Sequence, residues 1–239
     1  TVAWAHSAIE AWLSPGALAS QPAFAHLTPR WRQTLAEYPA AQARYAAELA
    51  AWQQEDTATK SLAWKHASFL RQHPRPTPPL GPDAPAQPAG LYHGMLQPVL
   101  PYALRGVLWA QGTANAGHPD EYLRLFSTLI VSWREHFGVP QLPFYFAQLP
   151  AWPQGHASDD LALARLREAQ AQALALPGTG MVVALDLGPG AHGGPRPLAE
   201  LGRRFALLAR AATYHQPCDY SGPLFASATR EGPALRVRF

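Results

Sequence analysis

The chain has 239 residues, 48% of them hydrophobic and only 15% charged, with 25 prolines, a composition that supports a buried core and excludes a disordered or coiled-coil chain. Its net charge of +3 includes only two lysines, Lys60 and Lys65, among 19 basic residues, and no basic run interleaves with aromatics, which excludes a nucleic-acid groove. A single cysteine, Cys218, excludes an internal disulfide, and with neither a signal peptide nor an apolar run of ~18 residues the chain reads as a soluble protein of unassigned location.

The opening "TVAW" reads as a clipped strand, so the chain is expected to begin inside a larger domain. Over 21–73, Trp31, Leu35 and Tyr38, then Tyr45, Leu49 and Trp52, fall at helical spacing and predict two amphipathic helices broken near Pro39. The Pro-rich "HPRPTPPLGPDAPAQPAG" that follows is expected to be extended and, with those helices, to wrap the domain or cover its site.

Three apolar runs then read as buried parallel strands: "GVLWAQ" (106–111), "PFYFAQL" (143–149) and "MVVALDL" (181–187). Between and after them lie helices. One carries Tyr122, Leu125, Phe126, Leu129, Ile130, Trp133 and Phe137 on a single stripe; a second covers 158–175; a third follows Pro197 with Leu198, Leu201, Phe205 and Leu208. The final "LRVRF" alternates and predicts a terminal strand pair. Strands alternating with helices imply an α/β fold, whose ligands bind at the carboxyl ends of the strands. The tips there are 5–7, 112–115, 150–152 and 188–194.

In order, "IEAWLS" (9–14), "GLYHGMLQPVLPYALRGVLWAQGTANAG" (90–117), "DEYLRLFSTLIVSWREHFGVPQLPFYFAQLPAW" (120–152), "LREAQAQALALPGTGMVVALDLG" (166–188), "LAELGRRFALLA" (198–209) and "YSGPLF" (220–225) resemble the sialate O-acetylesterase (SASA) family, carbohydrate esterases of the SGNH/GDSL hydrolase superfamily. The resemblance implies an SGNH-like (flavodoxin-like) parallel sheet flanked by helices, here lacking the first, nucleophile-bearing strand. It places an α/β hydrolase domain at 1–214, with the helical and Pro-rich insertion at 21–89, and a strand-like tail at 215–239. It also implies serine hydrolysis: a Ser nucleophile on an early strand, a His base near the C-terminus, and backbone amides with an Asn side chain around the oxyanion.

The chain departs from that pattern at the chemistry. The Ser-bearing block has no match here. Ala5 and His6 stand where the family has Gly-Gly, and "GTAN" keeps Gly112 and Asn115 of Gly-Glu-Ser-Asn while Thr113 and Ala114 replace the other two. Aligned without gaps, His192 falls on the triad Asp and Gly194 on the triad His; a two-residue slip would return His192 to the base. The 112–115 turn is thus expected to be the shell of an oxyanion site whose nucleophile and base are lost.

His6, His93 and His192 all occupy departures and map to the strand tips, so they are candidate ligands for zinc or another divalent transition metal, whose bound water would replace the serine. Isolated loop histidines are also commonly solvated, and these lack helical H-x-x-x-H spacing. Ser7 is a relocated nucleophile or a helix cap; Asp186 orients a histidine or caps a turn; Trp4, Trp109 and Trp152 line a sugar site or belong to the core; Glu10 reads as structural, paired with an arginine. Two functions remain open: an ester hydrolase derived from carbohydrate O-acetylesterases with metal-activated water, and a non-catalytic carbohydrate- or partner-binding protein. The expected partners are a small ester or acetylated carbohydrate and a second copy of the chain, with no nucleic acid and no membrane.

Overall fold

A computed structural model describes Trp4 and residues 7–150, 157–187, 197–223 and 225–239. Its centre is a three-stranded parallel sheet in the order β1 (Val107–Trp109), β2 (Phe144–Ala147) and β3 (Thr179–Val182). β2 is buried along its whole length, as a central parallel strand must be when helices cover both faces. The register sets Leu108 beside Tyr145 and Phe146 beside Met181.

The third strand lies earlier than 181–187. β2 ends at Ala147, whose partner is Val182, so nothing remains for the following residues to pair with. The chain instead closes a 3-10 turn at Leu185–Leu187, where the Leu187 amide donates to the Ala184 carbonyl.

The helices follow the apolar periodicity except at two ends: Leu198, expected on the buried stripe of the helix after Pro197, is exposed at that helix's first turn, and Phe137 lies just past the helix that carries Tyr122 to Trp133. Short α1 (Pro15–Ala19) is capped by Ser14, whose Oγ accepts from the Ala17 amide. The α-helical part of 21–89 consists of α2 (Leu27–Thr59) and α3 (Ala63–Gln72). α4 (Pro119–His136) starts with Pro, Asp120 and Glu121 and ends with Arg134 and His136, in keeping with its dipole. α5 (Ala157–Gln172) joins α4 on one face of the sheet, and α6 (Pro197–Ala212) covers the other.

The larger core sits under α4. Tyr122, Leu125, Phe126, Leu129, Ile130 and Trp133 are all buried, and Trp133 stands near both Trp109 (5.5 Å) and Trp12 (6.3 Å). On the opposite face Tyr145 and Val182 meet Phe205 and Leu208 of α6. This packing needs Gly180, because a Cβ there would lie 2.9 Å from Tyr145 and 3.0 Å from Leu208.

The insertion differs from expectation. α2 runs through Pro39 without a break, and the chain turns only at 60–62, where the amides of Lys60 and Leu62 donate to Thr57 and Thr59. Proline costs the helix one hydrogen bond, but strong helix formers such as Ala40, Ala41, Gln42 and Arg44 on an exposed helix carry it past that point. Pro39→Ala should therefore raise stability by about 1–3 kcal/mol, read as a higher denaturation midpoint with the fold unchanged.

α2 and α3 pack on one another through Trp52 and Phe69 (5.8 Å), and the Trp52 indole donates to the His73 carbonyl. Lys60 and His66 both hold Asp56 at 2.7 Å, and these contacts, Lys60 first, keep its carboxyl below the usual range. The Pro-rich stretch then returns beside α2, with Gly81 against Tyr38 and the Ala89 amide donating to the Glu10 carbonyl. These helices and the Pro-rich stretch form an arm folded on itself and tied to the body at its base. The tail forms an antiparallel hairpin of β4 (Ser227–Glu231) and β5 (Ala234–Arg238), turning at Gly232 with φ 59°.

Candidate active site

The turn after β1 is shaped by one glycine and one asparagine. Gly112 adopts φ 154° and ψ −37°, and a Cβ there would lie 3.0–3.2 Å from the Leu149 side chain. Conformation and space both require glycine. The 3-10 turn Thr113–Asn115 follows, and the amides that open such a turn have no partner within it. The amides of Gly112, Thr113 and Ala114 find no acceptor among the described residues.

Asn115 is buried and ties the 111–115 turn to the 9–10 segment. Its Oδ1 accepts from the Ile9 amide (3.0 Å) and from Gln111 Nε2 (2.8 Å), and its Nδ2 donates to Glu10 Oε2 (3.0 Å). Glu10 pairs with Arg30 of α2 (3.2 Å), as expected of a structural carboxylate seeking an arginine, and Arg30 also pairs with Glu121 of α4 (3.2 Å). Next to Glu121, the Tyr122 hydroxyl donates to Gln111 Oε1 (3.2 Å). The result is a run of polar contacts through Tyr122, Gln111, Asn115, Glu10, Arg30 and Glu121, closed into a ring by the α4 backbone between Glu121 and Tyr122. Burial pushes the Tyr122 phenol above its ordinary range, so it remains a donor at any physiological pH.

Three members of this site carry no motif. Gln111 and Arg30 act through partners far along the chain, and so does Gln170 of α5. Fully buried, Gln170 donates to the carbonyls of Gln111 (3.3 Å) and Ala147 (3.1 Å) and accepts from the Leu149 amide (2.9 Å), stitching the tips of β1 and β2 together. The only sequence signal was that Gln170 stands on a stripe of α5 whose neighbours Leu166, Ala169 and Ala173 are apolar.

The candidate residues separate on this frame. Ser7 is buried beside the ring, but its Oγ accepts from the Trp12 indole (2.9 Å) and donates to the Trp4 carbonyl (3.2 Å); the hydroxyl is spent on packing, and it caps no helix. Asp186 is gripped by both ends of the Arg204 guanidinium, which holds its carboxyl below the usual range. It anchors the turn after β3 to α6. Trp109 belongs to the aromatic core, whereas Trp4 is half exposed.

His93 is not at the strand tips. It lies in the π-helical turn Tyr92–Leu96, and the neighbouring Tyr92 ring stands 5.4 Å from His136, the last residue of α4. Asn115 precedes the first residue of that helix, and 18 residues of helix span about 27 Å. The likeness of "LYHGM" to its counterpart gave order along the chain but not the direction in which that turn descends. Among the described residues, no three His, Cys, Asp or Glu side chains stand close enough to share a metal ion. His6, His192 and Trp152 lie outside the described residues.

The family model for carbohydrate esterase, sialic acid-specific acetylesterase, matches residues 88–210, from the end of the Pro-rich stretch through most of α6. The chain belongs to that family. Sialate O-acetylesterase of Mus musculus is 30% identical over 169 residues, covering 63% of this chain and 31% of that protein. Its counterpart in Rattus norvegicus is 32% identical over 159 residues, covering 59% and 29%. A carbohydrate acetylesterase from Xanthomonas citri, solved as a crystal structure, superposes with a TM-score of 0.51 at 36% identity, over 58% of this chain and 33% of that one.

This member of the family thus spans about a third of the length of the relatives it matches. The parallel sheet between α4, α5 and α6 agrees with the SGNH-like hydrolase fold. Among the described residues, no helix is long and apolar enough to cross a membrane.

Proposed function

We propose that the chain is an esterase-type hydrolase of O-acetylated carbohydrate in which the 112–115 turn forms the oxyanion side of the site. The observation that carries this reading is the turn itself: three backbone amides without acceptors among the described residues, fixed by Gly112 and by the Asn115 ring. Such preorganised donors stabilise the charge that develops on an ester oxygen without reorganising during the reaction. Asn115 acts here by holding the turn, since its side chain is committed to Ile9, Gln111 and Glu10. The nucleophile in this reading would be a water activated by zinc or another divalent transition metal, for which His6 and His192, both outside the described residues, would supply two ligands and a third would have to come from elsewhere in the site. His93, at the other end of α4, takes no part.

The test is hydrolysis of p-nitrophenyl acetate and of an O-acetylated sugar by the wild type and by Gly112→Ala, before and after chelation. Turnover above buffer, lowered about 100-fold in Gly112→Ala, supports the oxyanion turn. Loss of turnover on chelation and recovery with zinc supports the metal-activated water; full resistance to chelator removes it. Absence of turnover under every condition, together with a raised melting temperature in the acetylated sugar, would instead make the chain a non-catalytic carbohydrate-binding member of its family.

A second copy of the chain is the partner proposed for β1. Among the described residues no strand pairs with its outer edge, and Leu108 is 61% exposed on the sheet face beside it. Proteins cover such edges. Sedimentation at micromolar concentration should show a dimer, and a monomer would remove this part of the reading.

A further inference from the structure

A cavity of about 700 Å³ opens between α1, the Tyr92–Leu96 turn and the outer face of α4, within the range of ligand sites. It lies on the flank of the domain, and the 112–115 turn is not among its walls. From Arg124 to His136 its α4 wall runs twelve residues, about 18 Å, which suits several linked rings better than one.

We propose that this groove is a second carbohydrate-binding site, taking a neutral oligosaccharide. The inference rests on the proposed function only for the choice of carbohydrate as the ligand class. The chemistry of the walls points the same way. His136 Nδ1 lies 2.6 Å from the Ser132 carbonyl, which can only accept, so Nδ1 is a donor there and Nε2 of the neutral ring is an acceptor. With Gln97 Oε1 accepting from His93 Nδ1 (2.8 Å), His93 is in the same state and the Gln97 amide nitrogen remains a donor.

The Tyr92 ring meets both imidazoles edge-on, His93 at 5.3 Å and His136 at 5.4 Å. A row of acceptors beside donors is what a polyhydroxylated chain requires, since each hydroxyl both gives and takes. Val131, 42% exposed on the α4 wall, offers an apolar surface for the C–H face of a sugar.

Charge decides against an anionic ligand. Arg124 and Glu135 both line the groove, three helical turns apart, and their formal charges cancel. Neither has an ion-pair partner among the described residues, so both are free to bond hydroxyls at the two ends. The opposite wall contains Gly16, where an added Cβ would meet only Ser14 Oγ at 3.9 Å. A large side chain can therefore be placed there to fill the groove without altering any polar group in it.

Binding is measured by calorimetry, without turnover, using cellotriose, xylotriose and maltotriose as neutral probes and trigalacturonate as the anionic one. At least one neutral trisaccharide should bind with a dissociation constant below about 10 mM. Gly16→Trp should abolish that binding, and His136→Phe should weaken it about tenfold through the loss of one acceptor, both with unchanged melting temperatures. Gly16→Trp should hydrolyse p-nitrophenyl acetate as the wild type does, and Gly112→Ala should bind the trisaccharide as the wild type does, so failure of the groove and failure of the esterase reading are separable. Binding of no neutral probe, tighter binding of trigalacturonate, or unchanged affinity in Gly16→Trp would each overturn the proposal.

Discussion

Asn115→Ala should lower stability by about 3–5 kcal/mol. The change strands the Ile9 amide and one Gln111 N–H, and it leaves the Glu10 carboxylate with Arg30 alone. Each buried polar group left unsatisfied costs roughly 1–3 kcal/mol, and more when it is charged. Urea unfolding of the two proteins measures the difference. Asn115→Asp separates the two halves of the effect, since it keeps an acceptor for Ile9 and Gln111 but sets a carboxylate against Glu10. If Asn115→Ala lost less than about 1 kcal/mol, the ring would not hold the turn, and the amides of Gly112 and Thr113 would need another source of order.

The second large effect is expected at Trp133. Its ring contacts Trp12, Trp109 and Phe144, and its indole donates to the Trp12 carbonyl (3.1 Å). Trp133→Ala would open a cavity at the centre of the larger core and should cost about 3–5 kcal/mol. Trp133→Phe keeps most of the apolar contact and loses the hydrogen bond, so its cost should be nearer 1–2 kcal/mol. Near-ultraviolet circular dichroism reports whether the tryptophan cluster survives in each. Equal losses in the two variants would mean that the indole N–H, rather than ring volume, holds the 3-10 turn Ile9–Trp12 onto α4.

Elements whose signal is local were legible in the residues. α4 carries its stripe at 3.6-residue spacing, and the stripe Tyr122, Leu125, Phe126, Leu129, Ile130 and Trp133 is the face it buries. β1 and β2 lie inside their apolar runs, and the terminal strand pair forms where "LRVRF" alternates. Pro39 misled because a proline's cost is local while the propensity of an exposed, alanine-rich helix is summed over many residues.

At the site, Gly112 and Asn115 could be found from "GTAN", but the ring around them could not. Ile9 and Glu10 reach Asn115 across more than a hundred residues, and glutamines such as Gln111 and Gln170 have no periodicity that reveals a polar partner. His93 shows the complementary difficulty. Its height along α4 depends on how the turn descends from Ala89 beside Glu10 to Tyr92 beside His136.

The arm leaves and re-enters the domain at one level. Tyr38, on the way out, touches Gly81, on the way back, while Arg30 and Ala89 fasten the two strands of the base to Glu10. Everything beyond that contact is therefore a closed excursion, topologically a long loop whose two ends already meet. Because closure entropy grows only with the logarithm of loop length, the excursion can be shortened to a tight connection, or exchanged for an unrelated module, at little thermodynamic cost to the body beneath. The same feature makes the arm a natural graft point, with Arg30 near the start of α2 as the link between whatever is carried there and the ring around Asn115.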